Sequence, residues 1–166
     1  MKYVSTRDNT KEYNFEEVFI KGLADDGGLY VPKFIKKYTH QELLELKNLS
    51  YIDLSTKIIS QFLSDFISKE DLSSLVKKSY STFREKDVVK ISSIGKLKLL
   101  ELFHGPTLAF KDVAMQFIGN LYEYYLSKND KKINIVVATS GDTGAAAINA
   151  IKGKSNLNIF VLHPNN

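Results

Sequence analysis

The feature that most restricts how this chain can fold is an apolar strand-forming run leading through a glycine-bracketed loop into a helix. Ile133 to Ala138 is nearly continuous in β-branched residues, as expected of a strand buried in a parallel sheet. The loop Thr139-Ser140-Gly141-Asp142-Thr143-Gly144 comes next, then small residues from Ala145 to Ile151 closed by Gly153. A second apolar strand follows from Leu157 to Leu162. Strand, loop, helix and strand in that order make a βαβ unit, which predicts an α/β layer fold.

Immediately upstream, Lys96 to Phe103 reads as a further strand of this sheet. Leu108 to Leu126 reads as a long helix, with Phe110, Val113, Ala114, Phe117, Ile118, Leu121 and Tyr125 at helical spacing. About three strands are fewer than a doubly wound domain requires, so the 166 residues are expected to be part of a longer protein.

Before Lys90 the pattern is mostly helical. Asn14 can cap a short helix through Lys21 that carries Phe15, Val18 and Phe19 on one face. Leu29 to Pro32 is a short extended piece ended by proline. Thr39 with Glu42 forms a capping-box pattern for a helix over Gln41 to Leu46. Tyr51 to Phe66 repeats apolar residues at a helical period, and Ser68 precedes another helix whose first turn is acidic. The expected organisation is therefore a helical amino-terminal domain over residues 1–90 and the beginning of an α/β domain over residues 91–166.

Composition narrows the function classes. A hydrophobic fraction of 43% suffices for a core, and the absence of cysteine excludes disulfides, thiolate metal sites and cysteine nucleophiles. It also fits a reducing cytoplasm. No apolar run approaches the ~20 residues that span a bilayer, and the polar amino terminus lacks a signal-peptide pattern. The net charge of +4 comes from lysines interleaved with acids, not from a basic stripe with aromatics, so no nucleic-acid partner is expected. Gly153-Lys154-Ser155 imitates the end of a phosphate-binding P-loop, but Ile148 stands where that motif needs glycine.

Two loops can carry chemistry. In 139–144, glycines, hydroxyls and backbone N–H groups converge on a helix amino terminus, which suits a carboxylate or phosphate. Simple capping by Ser140 or Thr143 is the alternative, and the two are compatible. The other loop is His104-Gly105-Pro106-Thr107-Leu108-Ala109-Phe110-Lys111-Asp112. A lysine at a helix start is ordinarily a solvated side chain. Here Lys111 follows an apolar strand, a rigid Gly-Pro turn and Leu108-Ala109-Phe110, a setting that would favour the neutral amine needed to attack a carbonyl. His40, His104 and His163 have no metal-ligand spacing, and only His104 lies where it could face a ligand.

The nine residues 104–112 closely resemble the cofactor-lysine motif of the threonine synthase family, and Thr-Ser-Gly-Asp-Thr-Gly at 139–144 resembles that family's substrate-carboxylate loop. Ser5-Thr6-Arg7 and Gly22 to Pro32 are similar to the start of these enzymes. The resemblance implies a fold-type II (tryptophan synthase β-like) enzyme that uses pyridoxal 5′-phosphate to convert O-phospho-L-homoserine and water into L-threonine and phosphate, a lyase of threonine biosynthesis. It implies Lys111 as the catalytic lysine carrying the cofactor, with Phe110 and Asp142 also at the cofactor. Thr107, Ser140, Gly141, Asp142 and Thr143 are implied at the substrate. The glycine cup for the cofactor phosphate is expected beyond Asn166, so the 166 residues alone are expected to bind the cofactor weakly and to turn over poorly. Another fold-type II dehydratase or phospho-lyase, or a cofactor-free binding module, remain the alternatives.

Overall fold

The computed structural model describes residues 1–63, 66–139 and 141–164, and its amino-terminal helices begin where the sequence supplies a side-chain acceptor. Helix α1 (Phe15–Lys21) is capped by Asn14: the Asn14 side chain accepts from the Glu17 N–H at 2.9 Å, and the Glu17 carboxylate accepts from the Asn14 N–H at 2.7 Å. Helix α2 (His40–Leu46) repeats the arrangement with Thr39 and Glu42. In both, backbone donors that have no partner within the helix are satisfied by side chains. Helix α3 (Tyr51–Leu63) starts behind Ser50, whose Oγ accepts from the Asp53 N–H, and helix α4 (Lys69–Tyr80) behind Ser68, which does the same for Asp71. The helix expected over Tyr51 to Phe66 is α3, with residues 64 and 65 outside the described residues.

Packing divides the chain into two compact units, Met1–Ser73 and the residues from Ser74 onward, with the division inside α4. In the first unit, strand β1 (Tyr3–Ser5) pairs antiparallel with β2 (Tyr30–Pro32). The rings of Phe15 and Phe19 lie 5.3 Å apart, and both meet Phe66 edge-on. The Tyr3 hydroxyl donates to the Phe62 carbonyl at 2.7 Å, which ties β1 to the end of α3.

In the second unit, β3 (Lys90–Ile94) and β4 (Leu97–Glu101) form an antiparallel hairpin closed by Gly95-Lys96. Gly95 has φ 59°, the left-handed backbone that the first position of such a two-residue loop requires. The strand expected at 96–103 therefore belongs to this hairpin, not to the parallel sheet. Among the described residues, that sheet consists of β5 (Ile133–Ala138) and β6 (Leu157–Leu162), in register from Ile133 opposite Leu157 to Ala138 opposite Leu162. Helices α5 (Asp112–Lys128) and α6 (Asp142–Ile151) complete the unit.

Helix α5 begins four residues later than its apolar period suggested, because Gly105 to Leu108 form a turn in which the Leu108 N–H donates to the Gly105 carbonyl. Nor is β5 buried on both faces. Burial alternates along it: Ile133, Ile135 and Val137 are half-buried, while Val136 is 65% exposed. One helix layer covers one face of a two-stranded sheet, which accounts for the alternation.

Helices α5 and α6 approach closely. A Cβ at Gly119 would lie 2.6 Å from the Ala150 carbonyl oxygen, and Ala146, Ala147 and Ala150 are buried. The Gln116 amide donates to Asn149 across this contact, and Asn120 links Ser79 and Lys154 beneath it.

Candidate functional site

The two loops singled out by sequence meet in the second unit. Lys111 immediately precedes α5, Asp142 is the first residue of α6, and close helix packing brings their side chains together. The Lys111 ammonium donates to Asp142 Oδ2 at 3.1 Å and lies 4.3 Å from the centroid of the Phe110 ring. The lysine side chain is 26% exposed and the aspartate 60%. The setting anticipated for Lys111 was apolar. Instead it combines an aromatic face with a carboxylate 31 residues away in sequence.

Asp142 is held below the ordinary aspartate range, first by the hydrogen bond from Lys111 and to a smaller extent by the backbone N–H groups of Asp142 and Thr143. Its own carboxylate thus takes up part of the donor capacity that the amino terminus of α6 offers to an anion. Gly141 caps α6 and is exposed, and Thr143 in the first turn is half-buried. Gly144 packs closely against Thr139: a Cβ there would lie 2.6 Å from Thr139 Cγ2, so any larger residue needs the threonine side chain to shift. Ser140 lies outside the described residues.

Thr107 does not direct its hydroxyl toward Lys111. Thr107 Oγ1 donates to Asp112 Oδ1, and the Thr107 N–H donates to Asp112 Oδ2, both at 2.8 Å. Asp112 is completely buried. Asp112 closes the 104–112 motif, and the motif alone implies no role for it. Its only local signal is an acid at the first helical position behind a Gly-Pro-Thr turn. His104 is likewise engaged, with Nε2 2.8 Å from Glu101 Oε2, while Ser92 donates to the other oxygen of Glu101. Ser92 first, then His104, hold the Glu101 carboxyl below its ordinary value. Among the described residues no cluster of acids and histidines could hold a metal ion. A concavity in the first unit, lined by Lys2, Asn14, Phe15, Lys33 and Phe34, contains none of these groups.

A family model described as the threonine synthase N terminus matches residues 2–80. A threonine synthase of Schizosaccharomyces pombe is 42% identical over 175 residues, which take in 99% of this chain and 34% of the relative. One from Pseudomonas aeruginosa is 40% identical over 100% of this chain and 36% of its own length. Among solved structures, PLP-bound threonine synthase from Brucella melitensis superposes with a TM-score of 0.94 at 42% identity. That match covers 99% of this chain and 36% of the other. Over almost its whole length the chain is similar to the amino-terminal portion of threonine synthases.

It spans about a third of the length of the threonine synthases it matches. The yeast threonine synthase structure is similar over 99% of the chain with a TM-score of 0.92, so the likeness to the family extends over both loops. No helix among the described residues is long and apolar enough to cross a membrane.

Proposed function

We propose that this chain supplies the cofactor lysine of a threonine synthase, a lyase that converts O-phospho-L-homoserine and water into L-threonine and phosphate. The observation that carries this reading is the Lys111 amine, held between the Phe110 ring and the Asp142 carboxylate where two helices begin. The donor set fits pyridoxal 5′-phosphate: a primary amine for its aldehyde, an aromatic side chain beside the amine, and an acid within reach. When bound, that cofactor supplies an electron sink for charge developing at the substrate carbons.

The chain's own residues do the rest. Lys111 would hold the cofactor through its amine and would take up and return protons at its Nζ. Asp142 holds the amine in place from one side, and Phe110 supports it from the other. Asp142 would repel a second carboxylate, so the substrate carboxylate falls to the Gly141 backbone and the Thr143 hydroxyl at the start of α6, with Ser140 as a further candidate from the sequence. Thr107 contributes by shaping the turn ahead of Lys111. We assign residues 1–90 to the family's amino-terminal domain and residues 91–166 to the beginning of its cofactor domain. The cysteine-free composition accords with a cytoplasmic protein.

Borohydride reduction in the presence of pyridoxal 5′-phosphate, followed by peptide mapping, tests the site. The label is expected on Lys111 and is lost in Lys111→Ala. Phosphate release from O-phosphohomoserine, assayed with a polypeptide containing this chain, tests the reaction. Deamination of threonine without phosphate release would identify a dehydratase instead, and no label on Lys111 would favour a cofactor-free module.

A further inference from the structure

The carboxylate with the least exposure in the second unit lies one residue beyond the cofactor lysine and does not touch it. Asp112 has none of its surface exposed. A buried carboxylate is tolerated only where strong donors surround it, and Thr107 provides two, its N–H and its hydroxyl, both at 2.8 Å. The Asp112 N–H in turn donates to the Ala109 carbonyl at 3.0 Å. The segment from Leu108 to Lys111 is thereby bracketed between two fixed residues.

Two further observations show how tightly the bracket is drawn. A Cβ at Gly105 would fall 2.5 Å from both the Cβ and Oδ2 of Asp112, so only glycine allows this approach. Leu108 has φ 66°, a left-handed backbone that a bulky side chain rarely adopts and that persists only where the surroundings impose it. Asp112 is also the first residue of α5, yet its carboxylate reaches back five residues to the turn.

We infer that Asp112 is a positioning residue for Lys111: its two bonds to Thr107 hold the strained Leu108 turn and so set where the lysine backbone presents its amine. This rests on the assignment of Lys111 to pyridoxal 5′-phosphate above. Asp142 and Phe110 hold the tip of the lysine, and Asp112 holds its root. A reacting group displaced by about 1 Å reacts up to about a hundredfold more slowly, which sets the scale of the effect.

A polypeptide containing this chain and the cofactor-phosphate cup expected beyond Asn166 tests this directly. Wild type, Asp112→Ala, Asp112→Asn and Thr107→Val are labelled with limiting pyridoxal 5′-phosphate and borohydride, and Lys111 is compared with the other lysines by peptide mapping. Exchange of the Thr107 and Leu108 amides is followed in the same proteins. Asp112→Ala is expected to reduce Lys111 labelling by about tenfold to a hundredfold with the other lysines unchanged, and to deprotect the Thr107 amide. Asp112→Asn should restore most of the labelling, because its amide can accept from the Thr107 N–H and donate to the Thr107 hydroxyl. Thr107→Val, which keeps one bond of the two, should fall between, and it decides the matter if Asp112→Ala does not fold. Wild-type labelling of Lys111 in folded Asp112→Ala, or in Thr107→Val where that variant decides, would overturn the inference. An unchanged Thr107 amide in folded Asp112→Ala would overturn the bracket itself. A wild type with no preference for Lys111 would overturn the cofactor assignment and, with it, the role of Asp112 toward the cofactor.

Discussion

Replacing Gly119 by alanine sets two physical effects against each other, and the structure decides the sign. Alanine is favoured over glycine within a helix by about 1 kcal/mol, so propensity alone predicts a more stable α5. The added Cβ would lie 2.6 Å from the Ala150 carbonyl oxygen, 3.2 Å from its carbonyl carbon and 3.3 Å from its Cβ. The nearest atom is backbone, so no rotamer change relieves the contact and the two helices must separate. Overpacking of this kind costs about 1–3 kcal/mol, which exceeds the propensity gain across most of its range. The expected result is a net loss of about 1 kcal/mol. In urea, with a slope of about 1–3 kcal/mol per molar, the midpoint followed by circular dichroism should fall by about 0.5 M. The same separation would draw Lys111 away from Asp142, so the Asp142 carboxyl should titrate closer to its ordinary value in this variant. A midpoint that rises, with Asp142 unmoved, would refute the close approach of α5 and α6 through Gly119.

Lys111→Met should raise the pKa of Asp142, seen by carbon-detected NMR titration, because the bond from Lys111 is the largest cause of its lowering. With Asp142 lowered, the stabilisation from that pair is present above the ordinary aspartate range and disappears as pH falls through the lowered value. Glu42 is held at about 2 by Lys36 first and by Thr39 next, so its contribution to the cap of α2 should be complete above the ordinary glutamate range and be lost progressively as pH falls from there to about 2. Lys36→Ala should return the Glu42 titration toward the ordinary glutamate range, and added salt should do so in part because the pair is exposed. Asn14→Ala removes the bond that the Asn14 side chain accepts from the Glu17 N–H, leaves the residue-14 N–H to donate to Glu17, and should cost about 1 kcal/mol in thermal or urea unfolding.

Much of the local structure was legible in the residues. Asn14 with Glu17 and Thr39 with Glu42 mark helix starts because a side-chain acceptor three residues from its donor is a local geometric fact. The strands Ile133–Ala138 and Leu157–Leu162 were delimited correctly because short apolar runs with β-branched residues, bounded by segments containing glycine or proline, leave few other options. The strand Lys90–Ile94 was not anticipated. Its sequence, Lys-Ile-Ser-Ser-Ile, carries little apolar pattern and becomes a strand by pairing with Leu97–Glu101.

For the candidate site, the sequence marked the two loops and, through its resemblance to the family motif, nominated Lys111. Only the tertiary structure decided what surrounds that lysine. Asp142 lies 31 residues further along, and its approach to Lys111 depends on two helices packing with no side chain at Gly119 between them. The choice of Thr107 as partner for a buried Asp112, in place of an open hydroxyl facing the amine, follows from a turn whose backbone is left-handed at a leucine. Neither relation follows from residue spacing alone, because both depend on how the turn and the two helices pack, and packing is a property of the folded chain.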